Sequence, residues 1–374
     1  MKIIIGGDFC ITPEFLETKI LDSSIIGLFQ GADYNIVNLE CPVTTDDKSN
    51  KILKSGPHLR TEERIFSTLK ELNIKAVTLA NNHILDYNEK GMFDTMALCR
   101  SNGIDWVGAG ENLKNASQPL IINRDLNIGV INICENEWSI AKENKGGANP
   151  IDIIDNVKQI KKLKERVDSV IMIVHGGIEY YNLPSPIQKK IFSFFAESGA
   201  DIIVGHHSHC LSGYGYYKHT HIFYGIGNLL FTLRSEKEKW YYGSVIELEI
   251  TKNEPTTIKI HAIEQSKENF KLSLASNSKK KQIINEIEQY SSIIQNEDEL
   301  TKHWLNFVKS KGKTLQVFSP LNSIKNKFVR RGFKLLFNKL MLNKEYLSRI
   351  HYNKRCQSHN EILDFWLNEV TKAN

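Results

Sequence analysis

The sequence predicts a layered α/β fold, and three observations point to it. Short β-branched runs alternate with amphipathic stretches over residues 1–265. Several runs, among them Ile3-Ile4-Ile5 and Ile171-Met172-Ile173-Val174, are continuously apolar, as strands buried on both faces must be. Acidic, amide and imidazole side chains recur just beyond the strand ends, where the loops of open α/β sheets converge on a ligand.

The elements follow in order. Strands are predicted at 2–6, 34–38, 76–79, 120–122, 128–134, 169–174, 202–204, 222–224 and 245–250. Helices are predicted at 61–72, 90–101, 157–166 and 186–198. The first of these carries Ile65, Leu69 and Leu72 at helical spacing, with Thr61 as its cap and acids in its first turn. Gly108-Ala109-Gly110 lacks the third glycine and the following helix of a nucleotide turn, so it reads as a loop. Beyond about residue 265 strand signals vanish, and helices are expected at 276–295, 298–309, 320–342 and 362–371. A boundary at 264–275 therefore separates a catalytic domain, 1–265, from a helical C-terminal appendage, 266–374.

Composition narrows the class. With 41% hydrophobic and 24% charged residues in 374, the chain is globular, and disorder, collagen and a disulfide scaffold are excluded. The six scattered cysteines read as reduced thiols. No run of 18 apolar residues occurs, and the opening segment up to Asp8 is too short for a secretory leader, so a cytoplasmic location is expected. The charge is split. Residues 1–265 hold 28 Lys and Arg against 33 Asp and Glu, a net of −5; residues 266–374 hold 20 against 10, a net of +10. In 325–349, Lys327, Arg330, Arg331, Lys334, Lys339 and Lys344 interleave with Phe328, Phe333, Leu336, Phe337, Leu340 and Met341. That pattern suits peripheral contact with an anionic membrane, or a helix packed on the body with snorkelling lysines. No nucleic-acid motif accompanies the charge, so no nucleic-acid partner is expected.

Chemistry concentrates in a few segments. Gly205-His206-His207-Ser208-His209 places two imidazoles at i and i+2 beyond a buried strand, able to enter one cavity as ligands for zinc, manganese or iron. Asn81-Asn82-His83 offers an amide oxygen to a metal beside a histidine that can act as an acid; a capping Asn turn is the alternative. Asp8 and Glu40 supply the charge to balance two divalent cations, one carboxylate bridging them. His175 ends an apolar run before Gly176 and Gly177, which permit close ligand approach. No phosphate-binding Gly-x-x-x-x-Gly-Lys-Ser/Thr segment for ATP is present in the sequence.

These segments together carry a resemblance. Gly7-Asp8, Asn38-Leu39-Glu40-Cys41-Pro42-Val43-Thr44, Ala80-Asn81-Asn82-His83 with Asp86-Tyr87, His175-Gly176-Gly177-Ile178-Glu179-Tyr180, Gly205-His206-His207-Ser208-His209 and Tyr224-Gly225-Ile226-Gly227-Asn228-Leu229-Leu230-Phe231 occur in that order. The pattern resembles the poly-γ-glutamate capsule synthesis protein CapA family, itself similar to the calcineurin-like metallophosphoesterases. It covers residues 1 to about 250 and omits the basic tail. The resemblance implies a metallophosphoesterase-like four-layer α/β/β/α sandwich and one or two divalent ions. It implies that Asp8 and His209 hold the first metal, that Glu40 bridges, and that Asn82, His175 and His207 hold the second. It implies His83 as the acid for the leaving group, Glu179 as a supporting or substrate-facing residue, and His206 as an orienting neighbour. Metallophosphoesterases place a histidine where Cys10 stands, which leaves the first metal open to weak binding, a modified sulfur or vacancy. The CapA pattern often has Trp at Gly176 and Pro at Ser208, a difference that bears on the substrate pocket.

Two readings of function follow. One is a phosphoesterase-like, metal-dependent hydrolase acting on an anionic or polymeric substrate in capsule or cell-surface polymer metabolism. The other is a metal- and polymer-binding component of a capsule synthesis assembly, itself non-hydrolytic.

Overall fold

The computed structural model describes residues 1–46, 50–54, 56–312, 326 and 328–333. The chain opens with β1 (Lys2–Cys10), α1 (Ser23–Gln30), β2 (Tyr34–Leu39), α2 (Ile65–Glu71), β3 (Ile74–Thr78), α3 (Asn88–Ser101) and β4 (Asp105–Val107). Next come β5 (Ala109–Gly110), α4 (Leu113–Ala116), β6 (Leu120–Asn123), β7 (Asn127–Cys134), β8 (Gly147–Ala148), α5 (Ile153–Lys164), β9 (Ser169–His175), α6 (Pro186–Glu197) and β10 (Ile202–His206). Then follow β11 (Tyr214–Tyr217), β12 (Thr220–Phe223), β13 (Asn228–Phe231), β14 (Tyr242–Glu249), β15 (Thr257–Gln265), β16 (Leu272–Leu274), α7 (Asn277–Gln295) and α8 (Glu297–Gly312).

Two sheets result. One runs β16-β15-β14-β1-β2-β3-β4, with β13 also paired to β1; the other runs β11-β12-β10-β9-β7-β6. Their facing sides share one core, in which Ile3, Ile5 and Ile36 of the first sheet pack with Val130, Ile171 and Val204 of the second. Residues one step along the same strands point outward. Ile4 and Val37 meet Ile25, Phe29 and Leu69 of α1 and α2, while Ile131, Met172 and Ile203 meet Ile160 and Phe192 of α5 and α6. The four-layer α/β/β/α sandwich is thus written in the alternation of strands that are apolar on both faces.

The structure corrects several expectations. Thr61 does not cap α2, which starts at Ile65 without a side-chain cap. Thr61 instead exchanges backbone hydrogen bonds with the 42–44 segment, its N–H donating to Pro42 O and its carbonyl accepting from Thr44 N. Ala109–Gly110 is a short strand paired with β8, not a plain loop. The boundary at 264–275 also moves, because the compact unit runs Met1–Leu305 and the rest, Asn306–Asn374, forms a second unit. The cause is packing: Ile283 and Ile287 of α7 bury against Leu211, Tyr242 and Ala262, and β16 pairs with β15. Of the helices expected in the tail, 276–295 and 298–309 correspond to α7 and α8. Helix 362–371 lies outside the described residues, as does most of 320–342 and of the basic 325–349 stretch, in which residues 328–333 are helical. Among the described residues no helix is long and apolar enough to cross a membrane. Cys10, Cys41, Cys99, Cys134 and Cys210 are buried free thiols, as their scattered spacing suggests.

Candidate metal centre

The parallel strands of both sheets end at one place. Asp8 lies inside β1 rather than beyond it, and the pairing register of β1 shifts on both sides of Asp8, a bulge that re-aims its carboxylate. Next to it, Gly7 is obligatory, since a Cβ there would stand 1.9 Å from Gly227 O. His175 and His206 are the last residues of β9 and β10. His207 (φ 83°) and His209 (φ 51°) follow in the left-handed region, which histidine seldom adopts and which marks a segment held in place by its surroundings.

Two groups of ligand atoms come together here, Asp8 with Glu40 and His209, and Glu40 with His175 and His207; within each group all atoms lie within 4.8 Å of one another. Glu40 belongs to both. Its Oε1 is 3.6 Å from His175 Nε2 and 3.5 Å from His209 Nε2. Asp8 Oδ2 is 3.4 Å from His209 Nδ1 and accepts from the His207 backbone N–H at 3.2 Å. Asn82 Oδ1 lies 3.1 Å from His175 Nε2, which is in turn 3.1 Å from His207 Nδ1. The structure therefore brings together all six residues expected to bind metal. Among the described residues, both Glu40 oxygens are buried without a hydrogen-bond partner, as is His206 Nε2. Buried polar atoms rarely stay unpaired, so an orphaned carboxylate among converging imidazoles fits a cation.

The remaining expected residues surround this core. His206 Nδ1 lies 3.2 Å from Asp8 Oδ1. His83 Nδ1 lies 2.7 Å from Asp86 Oδ2. Glu179 is exposed at the mouth, close enough for its charge to act on Glu40 and His209. Cys10 is in neither ligand group, and its thiol is buried.

Electrostatics follow from burial. Desolvation pushes the Glu40 carboxyl well above the usual carboxylate range, and the charges of Asp8, Cys10 and Glu179 add to it. Burial would also raise Asp8, but hydrogen bonds from His206 and His209 hold it well below that range. Burial drives His207 down to about 3, helped by the like charge of His209. It lowers His175 as well, with His207 contributing. His209 is raised: burial opposes, and its bond to Asp8 outweighs. His83 is lowered chiefly by burial, against the pull of Asp86. Burial thus favours neutral imidazoles at His175 and His207 and makes the Glu40 carboxylate costly, a cost that a cation held there would offset.

Three contributors were not assigned roles from sequence. Asn38 Nδ2 donates to Asp8 Oδ1 at 2.8 Å and lies 3.1 Å from His175 Nδ1, tying a ligand of one sheet to a ligand of the other. Asn228 Oδ1 lies 2.9 Å from His209 Nδ1. Lys54 pairs with Asp86 and sits 3.1 Å from His83 Nδ1, with its side chain 2% exposed. Asn38 and Asn228 lie within the quoted segments; Lys54 comes from an irregular loop and leaves no local signal.

A family comparison bears on this site. The profile of the bacterial capsule synthesis protein PGA_cap family matches residues 17–233, more than half of the chain. The chain belongs to that family. It is 36% identical over 213 residues to the capsule biosynthesis protein CapA of Bacillus anthracis, covering 54% of this chain and 51% of that one. It is 34% identical over 208 residues to the PGA biosynthesis protein CapA of Bacillus subtilis strain 168, covering 54% of each. The match thus spans about half the length of these PGA_cap relatives. Among solved structures, the 5'-nucleotidase of Candida albicans SC5314 aligns with a TM-score of 0.42 and 13% identity, over 79% of this chain and 58% of that one.

Proposed function

We propose that the protein is a metal-dependent hydrolase of phosphoesterase type, acting in capsule or cell-surface polymer metabolism. The observation that carries this reading is the meeting of two ligand groups at Glu40, whose carboxylate oxygens are buried without partners. Asp8, Glu40 and His209 would hold one divalent ion, and Glu40, His175 and His207 with Asn82 a second, with manganese, iron and zinc all matching the donors. Such ions supply Lewis acidity and lower the pKa of water so that hydroxide exists near neutrality. The chain's own residues supply the rest. His206 orients Asp8. Asp86 accepts from the Nδ1–H of His83, which leaves Nε2 to take up a second proton and, as imidazolium, to pass it to a leaving group. The names of the two Bacillus relatives support a surface polymer as substrate.

The test is elemental analysis of metal-replete protein together with turnover of a generic phosphodiester. One or two ions per chain with turnover are expected; less than about one ion per chain overturns the reading. A second reading is favoured by Cys10, which stands where metallophosphoesterases place a histidine and belongs to neither ligand group. It is a metal- and polymer-binding component of capsule assembly without hydrolysis of its own, and metal uptake without turnover would select it. For the basic tail we propose peripheral contact with an anionic membrane surface on the cytoplasmic side.

A further inference from the structure

We propose that Tyr180 and Lys237 form an anion-recognition platform at the mouth of the Glu40 cluster, which takes an oxyanion carried by the substrate, a carboxylate or a phosphate. This deepens the reading above and rests on the cluster being a metal centre.

The platform is built onto the ligand loop. Tyr180 sits at φ 62°, a left-handed conformation that a bulky side chain adopts only when its surroundings impose it. Its backbone N–H donates to Ser208 O at 2.8 Å, so its backbone is anchored to the residue between His207 and His209. The ring centroid is 6.3 Å from that of His209 and 6.2 Å from that of Trp240. Trp240 packs on His209 at 4.8 Å and on Phe231 at 4.9 Å, so the wall behind the ring is fixed. The outer part of Tyr180 remains open, at 37% exposure.

Lys237 completes the pair. Its ammonium lies 4.3 Å from the Tyr180 ring centroid, a cation–π contact that gives a flexible side chain a preferred position. It is exposed and takes no carboxylate partner among the described residues, whereas the neighbouring Glu238 is paired with Lys279 and Lys239 with Glu286. The Tyr180 hydroxyl likewise has no hydrogen-bond partner among the described residues. A phenol O–H and an ammonium, both donors and both without a hydrogen-bond acceptor among the described residues, flank a cluster suited to cations. An anionic group reaching the cluster would meet them with charge-assisted hydrogen bonds. Glu179, next in sequence and exposed, acts in the opposite sense, because its charge repels the same anion.

The experiment is calorimetric titration of the full-length, manganese-loaded protein at low salt with two probes, inorganic phosphate and a short γ-linked oligoglutamate. Lys237→Ala should weaken binding about tenfold, Lys237→Arg should restore most of it, and Tyr180→Phe should cost less than Lys237→Ala. Glu179→Gln should tighten binding. Loss confined to phosphate assigns the platform to a phosphoryl group, and loss confined to the oligomer assigns it to a carboxylate. Lys237→Ala binding both probes as the unmodified protein does, or no binding of either probe by the unmodified protein, overturns the proposal. Metal content measured on the same samples separates the outcomes: absent metal sinks the metal-centre reading, and bound metal with Lys237-independent binding sinks this one.

Discussion

Each residue of the cluster does its work through what holds it. Among the described residues His83 makes no hydrogen bond to a member of the two ligand groups; its ring is held by Asp86, which in turn pairs with Lys54. His83→Ala should therefore leave the ion content unchanged and slow turnover by roughly 10²–10⁴-fold, the loss of a general acid. Equal loss of ions and activity in elemental analysis and rate assay would make it a ligand instead. Lys54 makes a separate case. It and Asp86 are almost wholly buried, so Lys54→Met strands a carboxylate, and roughly 3–5 kcal/mol of stability should be lost. A urea melt checks it, and a midpoint unchanged from the parent would mean Asp86 finds another partner.

At the scale of elements, the legible parts are those with a repeating signature. Ile3-Ile4-Ile5 and residues 170–174 announced strands because both faces of each are covered, by the opposite sheet and by helices. The residues that meet in the cluster were legible because segments at or near strand ends deliver them in order along the chain. Helix α1 carried no comparable signal: it is 8 residues long, with Ile25 and Phe29 as its buried residues. Strand β16 spans three residues, and its place depends on pairing with β15, not on its own pattern. Lys54 escaped for a related reason, since a loop residue is placed by tertiary contact alone. The end of the body was misjudged at the change of composition, yet α7 is bonded into it. Its backbone passes so close to Gly213 that a Cβ there would stand 2.5 Å from Ser291 N. Gly213→Ala should accordingly destabilise by about 1–3 kcal/mol through overpacking, seen as a lower melting temperature with ion content preserved. A chain ending at residue 265 would uncover Leu211, Tyr242 and Ala262 and should melt at lower temperature still.

For the whole molecule, charge and architecture make separate demands. The net of +10 over residues 266–374 sets up an attraction that salt screens within about 8–10 Å. Co-sedimentation with anionic vesicles should appear at low salt, fade as salt rises, and fall when Arg330, Arg331 and Lys334 are reversed in charge. Indifference to vesicles even at low salt would remove the membrane from the account. The architecture bears on persistence. Asp8 and Glu40 belong to the first sheet and its loops, His175, His207 and His209 to the second, so the cluster is a clasp across the seam of the sandwich. A cation gripped there must be released before the two layers can part. A bound ion would then work as a latch on the unfolding barrier, and would lengthen the lifetime of the native state by more than the melting point reveals. Chelation should make the protein markedly quicker to be cut by protease at a temperature where it remains folded at equilibrium.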